Sequence, residues 1–186
     1  MNEMTRIVAA PTENFRARFT TAEFLRMCEV DAFEDWKIEL VNGELERMPP
    51  PQNTHSRLQT SIFAQLMPFF GLERVRIEVG IDLGDDTVLG CDGAVLMAPI
   101  AENRWPRGDE LMLVVEVSQT TLGRDLGMKA ARYAAAGIPH YWVLDGQAAV
   151  VHAYSEPTGA RYSRAKTVRF GEPLAVPGTD ATITLS

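Results

Sequence analysis

The chain lacks the features that define several common protein classes. No apolar run in its 186 residues approaches the roughly 20 residues that a membrane-spanning helix needs. The N-terminal stretch also lacks the uninterrupted apolar core of a signal peptide. Its two cysteines, Cys28 and Cys91, are too few for a disulfide framework and lack the CxxC spacing of a structural zinc site. We therefore expect a soluble, cytoplasmic protein with no membrane partner.

Positive charge is also scarce. The chain has 18 Lys and Arg against 25 Asp and Glu, a formal net charge of −7. Non-specific binding to nucleic acid depends on many cationic side chains that displace counterions, so this balance argues against it. An enzyme that contacts phosphates through a metal ion stays compatible with the composition, because the cation offsets carboxylates.

Several catalytic signatures are missing. There is no GxxxxGK[ST], no GxGxxG after a strand, no GxSxG and no HExxH, which removes the usual support for NTP hydrolysis, dinucleotide binding, serine hydrolysis and zinc proteolysis. The hydrophobic fraction of 46% is that of a globular protein, and the length fits one domain of roughly 150 residues. We expect a flexible N-terminal arm over residues 1–18 and a single domain over residues 19–186.

The first half of the chain shows clear helix and hairpin signals. A threonine at position 20 or 21 begins a short helix that ends near Val30. Asn42-Gly43 lies between two strand-like runs and predicts a two-residue hairpin. After three prolines, Thr54 caps a second helix, in which apolar residues recur every four positions.

The second half alternates between strands and one helix. The segment ERVRIEVGIDL predicts a half-buried strand, Asp92 opens a short apolar run, and LMLVVEV is apolar on both faces, as a central strand is. A helix from about Arg124 to Ala136 follows, and then HYWVLD and four short strands, AAVVHAYS, ARYSRAK, TVRF and ATITLS. The pattern predicts an α/β fold with a mixed central sheet flanked by helices, an N-terminal hairpin and a β-rich C-terminal part, with the strand order open.

Glu116 and Asp92 are the main candidates for chemistry. Glu116 lies inside the apolar run LMLVVEV, where an ionised carboxylate is costly unless it is paired or bound to a cation. The alternative is a glutamate at an exposed strand end. Asp92 can converge on Glu116 if their strands are neighbours, and two carboxylates suit a hard cation such as Mg²⁺. Asp92 could equally form only a turn before glycine.

The helix after LMLVVEV supplies a cation. Asp125, Lys129 and Arg132 share one helical face, and an apolar set that includes Tyr133 lines the other. An ammonium near a metal site could stabilise charge on a phosphate. Alternatively, this charged helical face could simply be exposed to solvent. Glu39 could be a third metal-binding carboxylate or a cross-strand partner of Arg47.

His55 lies in the first turn of its helix and could be a site residue or a neutral capping residue. His140 and His152 lie on strand-like segments and have no ligand partner at useful spacing. We therefore interpret both as structural.

The segments ELVNGELERMPPPQNTH, CDGAVL and the long stretch VEVSQTTLGRDLGMKAARYAAAGI resemble the putative restriction endonuclease family of the PD-(D/E)XK nuclease superfamily. The likeness implies a restriction-endonuclease-like fold, Mg²⁺-dependent (or Mn²⁺-dependent) phosphodiester hydrolysis and a homodimer. By this resemblance Asp92 and Glu116 match the metal-binding acids and Lys129 the catalytic lysine, displaced onto the following helix. Glu39 and His55 match a recurring upstream glutamate and histidine.

The sequence departs from that family at two positions. Cys91 stands where the family usually has proline, and Ser118 stands where the acid-x-lysine signature has its lysine. The leading hypothesis is a metal-dependent DNA endonuclease that uses Asp92, Glu116 and Lys129. A nuclease-like fold that only binds DNA or a protein is the alternative, and a hydrolase of small phosphoesters is a third.

Overall fold

The computed structural model describes residues 17–186. The predicted N-terminal arm therefore lies almost wholly outside the described residues, and its division from the domain stays a prediction. No helix in residues 17–186 combines the length and the apolar character that crossing a bilayer requires.

The described residues contain three longer helical segments and one short 3-10 helix, Gly108–Glu110. The longer segments are α1 (Thr21–Glu29), α2 (Asn53–Phe70) and α3, a continuous segment made of Leu122–Arg124, a π-helical turn at Asp125–Lys129 and Ala130–Ala135. The strands are β1 (Lys37–Val41), β2 (Glu44–Met48), β3 (Val75–Asp82), β4 (Val88–Leu96), β5 (Leu111–Ser118), β6 (His140–Asp145), β7 (Val150–Pro157), β8 (Tyr162–Arg169), β9 (Leu174–Ala175) and β10 (Thr182–Ile183).

Eight strands form one mixed sheet in the described part of the chain. Its order is β2-β1-β4-β5-β6-β7-β8, with β3 also paired to β4, and a separate small sheet pairs β9 with β10. β5 and β6 are parallel, because α3 crosses over between them. The predicted mixed α/β sheet is confirmed. The predicted hairpin is also confirmed, since Asn42 and Gly43 both have positive φ, as a type I′ turn requires.

Helices cover both faces of the central strand β5. Leu113, Val115 and Val117 belong to the core that α2 covers, whereas Val114 belongs to the core that α3 covers. Successive side chains of a strand point to opposite faces, so Glu116 faces α3. A continuous apolar run in the sequence thus reports a strand that is buried on both faces.

Three local predictions need correction. α2 begins at Asn53 after the N-cap Gln52, and Thr54 caps nothing because its hydroxyl donates to Gln119 Oε1 at 3.0 Å. Asp92 does not open its strand, since β4 already begins at Val88, where pairing with β3 starts. ARYSRAK and TVRF form the single strand β8, because one continuous ladder joins it to β7.

The edge of β4 opposite β3 is shared by two strands. β3 pairs with β4 along nearly its whole length, while β5 pairs with residues 93–96 and β1 pairs only at Val88. β1 and β5 therefore diverge along this edge and leave residues 90–92 of β4 between them. This gap in the sheet is where the polar residues collect.

Candidate active site

Side chains replace the strand partner that Gly90 lacks in the gap. The Gly90 N–H donates to Glu39 Oε1 at 3.1 Å, and the Gly90 carbonyl accepts from Lys129 Nζ at 2.7 Å. Buried backbone groups need partners, so these two contacts attach β1 and α3 to β4. A cleft of about 130 Å³ opens at this point, enough for an ion with a few waters.

Glu116 is buried and held by α3. Its Oε1 accepts a hydrogen bond of 2.9 Å from Lys129 Nζ and one of 2.8 Å from the Tyr133 hydroxyl. Burial raises the pKa of Glu116 to about 8, although the Lys129 ammonium opposes this rise. Both contacts converge on Oε1, so in the described structure Oε2 is left for a further ligand.

Lys129 is saturated with acceptors. Its ammonium contacts Glu116 Oε1 at 2.9 Å, Glu39 Oε1 at 3.1 Å and the Gly90 carbonyl at 2.7 Å. Burial alone would lower the pKa of Lys129, but the carboxylates of Glu116 and Glu39 outweigh it and raise the pKa. Lys129 ends the π-helical turn of α3, and such turns are frequent at functional sites.

Glu39 is almost wholly buried, with its carboxylate between two cations. Arg124 Nη2 donates to Glu39 Oε2 at 2.6 Å, and Arg124 also pairs with Glu46 of β2. The alternative that Glu39 pairs with Arg47 is wrong, because the register sets Glu39 against Glu46. Arg47 instead stacks on Trp36.

Asp92 joins β4 to its neighbours. Its Oδ2 accepts a hydrogen bond of 2.6 Å from the Val117 N–H, and its backbone carbonyl accepts one of 2.8 Å from Gln59 Nε2 of α2. Burial alone would raise the pKa of Asp92, but His55 and the Val117 N–H outweigh it and lower the pKa. Asp92 therefore stays ionised although it is buried.

His55 carries an orphaned ring nitrogen. Its Nε2 lies 3.2 Å from Asp92 Oδ1, yet it is buried without a well-directed hydrogen bond. The adjacent Asp92 carboxylate raises the pKa of His55. A neutral capping role does not fit this position, because the ring is turned towards Asp92.

Glu78 completes a group of potential ligands that the sequence did not reveal. One ligating atom each from His55, Glu78 and Asp92 lies within 4.8 Å of the other two. Glu78 has a φ of 52°, which costs a non-glycine residue of order 1–3 kcal/mol and is a feature of functional sites. In the sequence Glu78 is an ordinary polar residue of an alternating strand, so nothing marked it.

The five predicted site residues, Glu39, His55, Asp92, Glu116 and Lys129, all line the one cleft. Asp125 and Lys129 are buried, so the alternative of an exposed charged stripe is wrong for them, and Arg132 instead donates to Asn42. The assignment of Tyr133 to the opposite helical face is also wrong. It follows Lys129 by four residues and therefore reaches the same oxygen of Glu116.

The donor set fits a divalent cation. His55, Asp92 and Glu116 all line the cleft, and His55 Nε2 is buried there without a well-directed hydrogen bond. Oxygen ligands suit Mg²⁺ and Mn²⁺, and an added imidazole suits the transition metal better. Among the described lining residues, four carboxylates face two ammonium groups, so a divalent cation would offset the excess negative charge.

Comparisons with known proteins agree with this fold. Residues 21–186 match the sequence profile of the family described as "Uma2: Putative restriction endonuclease". The crystal structure of a putative nuclease belonging to DUF820 from Anabaena variabilis ATCC 29413 superposes with a TM-score of 0.63 at 19% sequence identity, over 86% of this chain and 89% of that one. No curated protein sequence matches significantly. At this identity the superposition establishes the fold alone.

Proposed function

Because the chain belongs to the putative restriction endonuclease family, we propose that it is a metal-dependent DNA endonuclease that hydrolyses phosphodiester bonds. The family and the structural neighbour support a nuclease. The observation that carries the finer proposal is the meeting of Asp92, Glu116 and Lys129 at the gap in the sheet. These residues come from two strands and a helix that are separated in the sequence, and the cleft brings them together.

Asp92 and Glu116 would hold Mg²⁺ or Mn²⁺, with His55 and Glu78 as further donors on the side of Asp92. The cation would supply Lewis-acid polarisation of the phosphodiester and activation of the attacking water. The charged side chains around it are largely buried, which strengthens the charge interactions between them.

The protein's own groups position these ligands. Lys129 and Tyr133 both hold Glu116 by Oε1, which leaves Oε2 for the cation. The Val117 N–H does the same for Asp92. The Lys129 ammonium also adds a positive charge beside the site, where negative charge grows on the phosphate during attack.

Cleavage of supercoiled plasmid tests this function. Purified protein should nick the plasmid with Mg²⁺ or Mn²⁺ and not with EDTA, and Asp92→Asn should lower the rate about 100-fold or more. Asp180→Asn is the matched control, because Asp180 is an exposed acid outside the cleft. Equal nicking by wild type and Asp92→Asn would contradict the proposal.

The proposal includes a homodimer and a cytoplasmic location. A dimer would offer two clefts for the two strands of a duplex, and sedimentation analysis of the purified protein tests it. A monomer that nicks only one strand at a time would remove this part of the proposal alone.

A catalytically inert, DNA-binding or protein-binding domain is the second candidate. It is favoured by one observation, that the three N–H groups of Lys129 all have acceptors within the protein. Calorimetric titration with Mn²⁺ separates the two functions. A binding domain has no need of a cation site that depends on Asp92 and Glu116, whereas the nuclease does.

A further inference from the structure

Two lysines line the cleft, and they differ in what they can still bind. An ammonium has three N–H donors, and Lys129 directs its three at Glu116, Glu39 and the Gly90 carbonyl. Its side chain is only 4% exposed. Lys129 can therefore contact a phosphate only by giving up a bond that holds the site together.

Lys37 also lines the cleft, and its side chain is more exposed than that of Lys129. Its side chain is 37% exposed and donates to Glu78 Oε2 at 2.6 Å. The stem crosses β4 at Gly90, where a Cβ atom would lie 3.2 Å from Lys37 Cε. The glycine thus leaves room for the stem.

The partner of Lys37 is held from another direction as well. Gln59 Nε2 donates to Glu78 Oε1 at 2.6 Å, so Glu78 keeps one hydrogen bond when the ammonium leaves. The ion pair is partly exposed on both sides, and such pairs contribute at most about 1 kcal/mol. A phosphate oxygen can therefore compete with Glu78 for the ammonium.

The charge of the cleft favours such a contact. Four carboxylates line the cleft, and the only ammonium groups among the described lining residues are those of Lys37 and Lys129. The four carboxylates and two ammonium groups sum to −2, which one divalent ion only brings to zero, so the charge of an entering phosphodiester has no counter-charge unless an ammonium turns to it. The side chain that can move towards the phosphate is Lys37.

We propose that Lys37 is the substrate-contacting ammonium: it leaves Glu78 and binds a non-bridging phosphate oxygen of DNA in the cleft, while Lys129 acts as a positioning residue for Glu116 and Glu39. This inference rests on the DNA substrate of the proposed function.

Salt dependence of DNA binding tests the contact directly. Anisotropy of a fluorescein-labelled duplex in Ca²⁺ gives the slope of log affinity against log salt, and each phosphate contact contributes about one to it. Lys37→Gln should lower the slope by about one and the affinity about tenfold, and Lys37→Arg should restore both. Lys166→Gln, a change to an exposed lysine on β8, should leave both unchanged.

Removal of Lys37 could also weaken DNA binding indirectly, because it leaves the charge of Glu78 unpaired. Comparing Glu78→Gln with the double variant Glu78→Gln/Lys37→Gln separates this effect from a direct contact with DNA. If Lys37 binds phosphate, Glu78→Gln/Lys37→Gln has a slope about one below that of Glu78→Gln alone. Equal slopes of these two variants would overturn the inference. An unchanged slope in Lys37→Gln would overturn it too.

The plasmid assay distinguishes a failure of the Lys37 inference from a failure of the proposed nuclease function. Nicking by wild type together with an unchanged slope in Lys37→Gln refutes the role of Lys37 alone. A lowered slope in Lys37→Gln without any nicking by wild type refutes the nuclease and supports the phosphate contact. If the wild type does not nick the plasmid and Lys37→Gln leaves the slope unchanged, both proposals are refuted.

Discussion

The Tyr133 hydroxyl donates a hydrogen bond of 2.8 Å to Oε1 of Glu116, and both groups are buried. Tyr133 therefore fixes a carboxylate that the surrounding apolar strand would otherwise exclude. Tyr133 lies on the same helix as Lys129, one turn after it. The orientation of Glu116 thus depends on the packing of α3 against β5.

Tyr133→Phe should lower the free energy of unfolding by about 2 kcal/mol, because a bond to a buried carboxyl group is lost and nothing replaces it. Urea unfolding followed by circular dichroism measures the change. Tyr162→Phe is the matched control, since that hydroxyl donates to the neutral carbonyl of Ile138 and should cost about 1 kcal/mol or less. A larger loss in Tyr162→Phe would contradict the role of Tyr133.

Lys129→Met should destabilise the protein by about 3 kcal/mol, because it leaves Glu116 and Glu39 buried with one cation fewer. Adding Glu116→Gln to this variant should recover part of the loss, since the unpaired carboxylate is then gone. The double-mutant cycle should show a coupling of about 1–3 kcal/mol. Additive losses in the cycle would show that the 2.9 Å contact between these groups contributes nothing to stability.

Gly93→Ala should be among the most damaging single changes in the chain. A Cβ atom at Gly93 would lie 2.0 Å from Cζ of Phe63, in the close contact that sets α2, and with it His55, against β4. We expect a loss of about 3 kcal/mol, measured by thermal unfolding. Gly123→Ala meets no atom within 4 Å and should be neutral or stabilising by about 0.5 kcal/mol. Similar melting temperatures of the two variants would argue against this packing.

His55→Ala should weaken Mn²⁺ binding about tenfold and Mg²⁺ binding less, because imidazole is a ligand of transition metals whereas Mg²⁺ prefers oxygen. Calorimetric titration with each ion measures both affinities. His152→Ala serves as the control, since that ring lies on β7 beside Thr167. Equal losses for the two ions would mean that His55 acts only through the charge of Asp92.

Acid should remove a stabilising contact at the start of β5. The hydrogen bonds from Arg104 lower the pKa of Glu110 to about 2, so the folded state binds fewer protons than the unfolded state between about pH 4.5 and 2. The contribution is complete above pH 4.5 and disappears as the pH falls to about 2. It stays below about 1 kcal/mol, because the pair is partly exposed.

The variant Glu110→Gln tests whether this stabilisation is lost as the pH falls. Its free energy of unfolding should lie below that of wild type at pH 7, and the difference should shrink as the pH approaches 2. A difference that is constant with pH would show that the stabilisation does not come from the charge of Glu110.

The elements of this fold follow from local chemistry. Asn42-Gly43 adopts the positive φ values of a hairpin turn, and the fully apolar strand around Glu116 lies at the centre of the sheet. Glu116 itself could be identified because a charge in such a strand conflicts with its neighbours. Asp92 and Lys129 were also candidate site residues from the sequence, and in the structure both line one cleft with Glu116.

The sequence alone therefore determined the elements, their periods and the residues whose charge conflicts with their surroundings, because these depend on near neighbours in the chain. Only the tertiary structure decided that β1 and β5 diverge along β4, and so which side chains bind Gly90. It also decided that Glu78 joins His55 and that Tyr133 turns towards Glu116. Those relationships depend on strand register and helix packing, which join distant segments and leave no periodic trace in the chain.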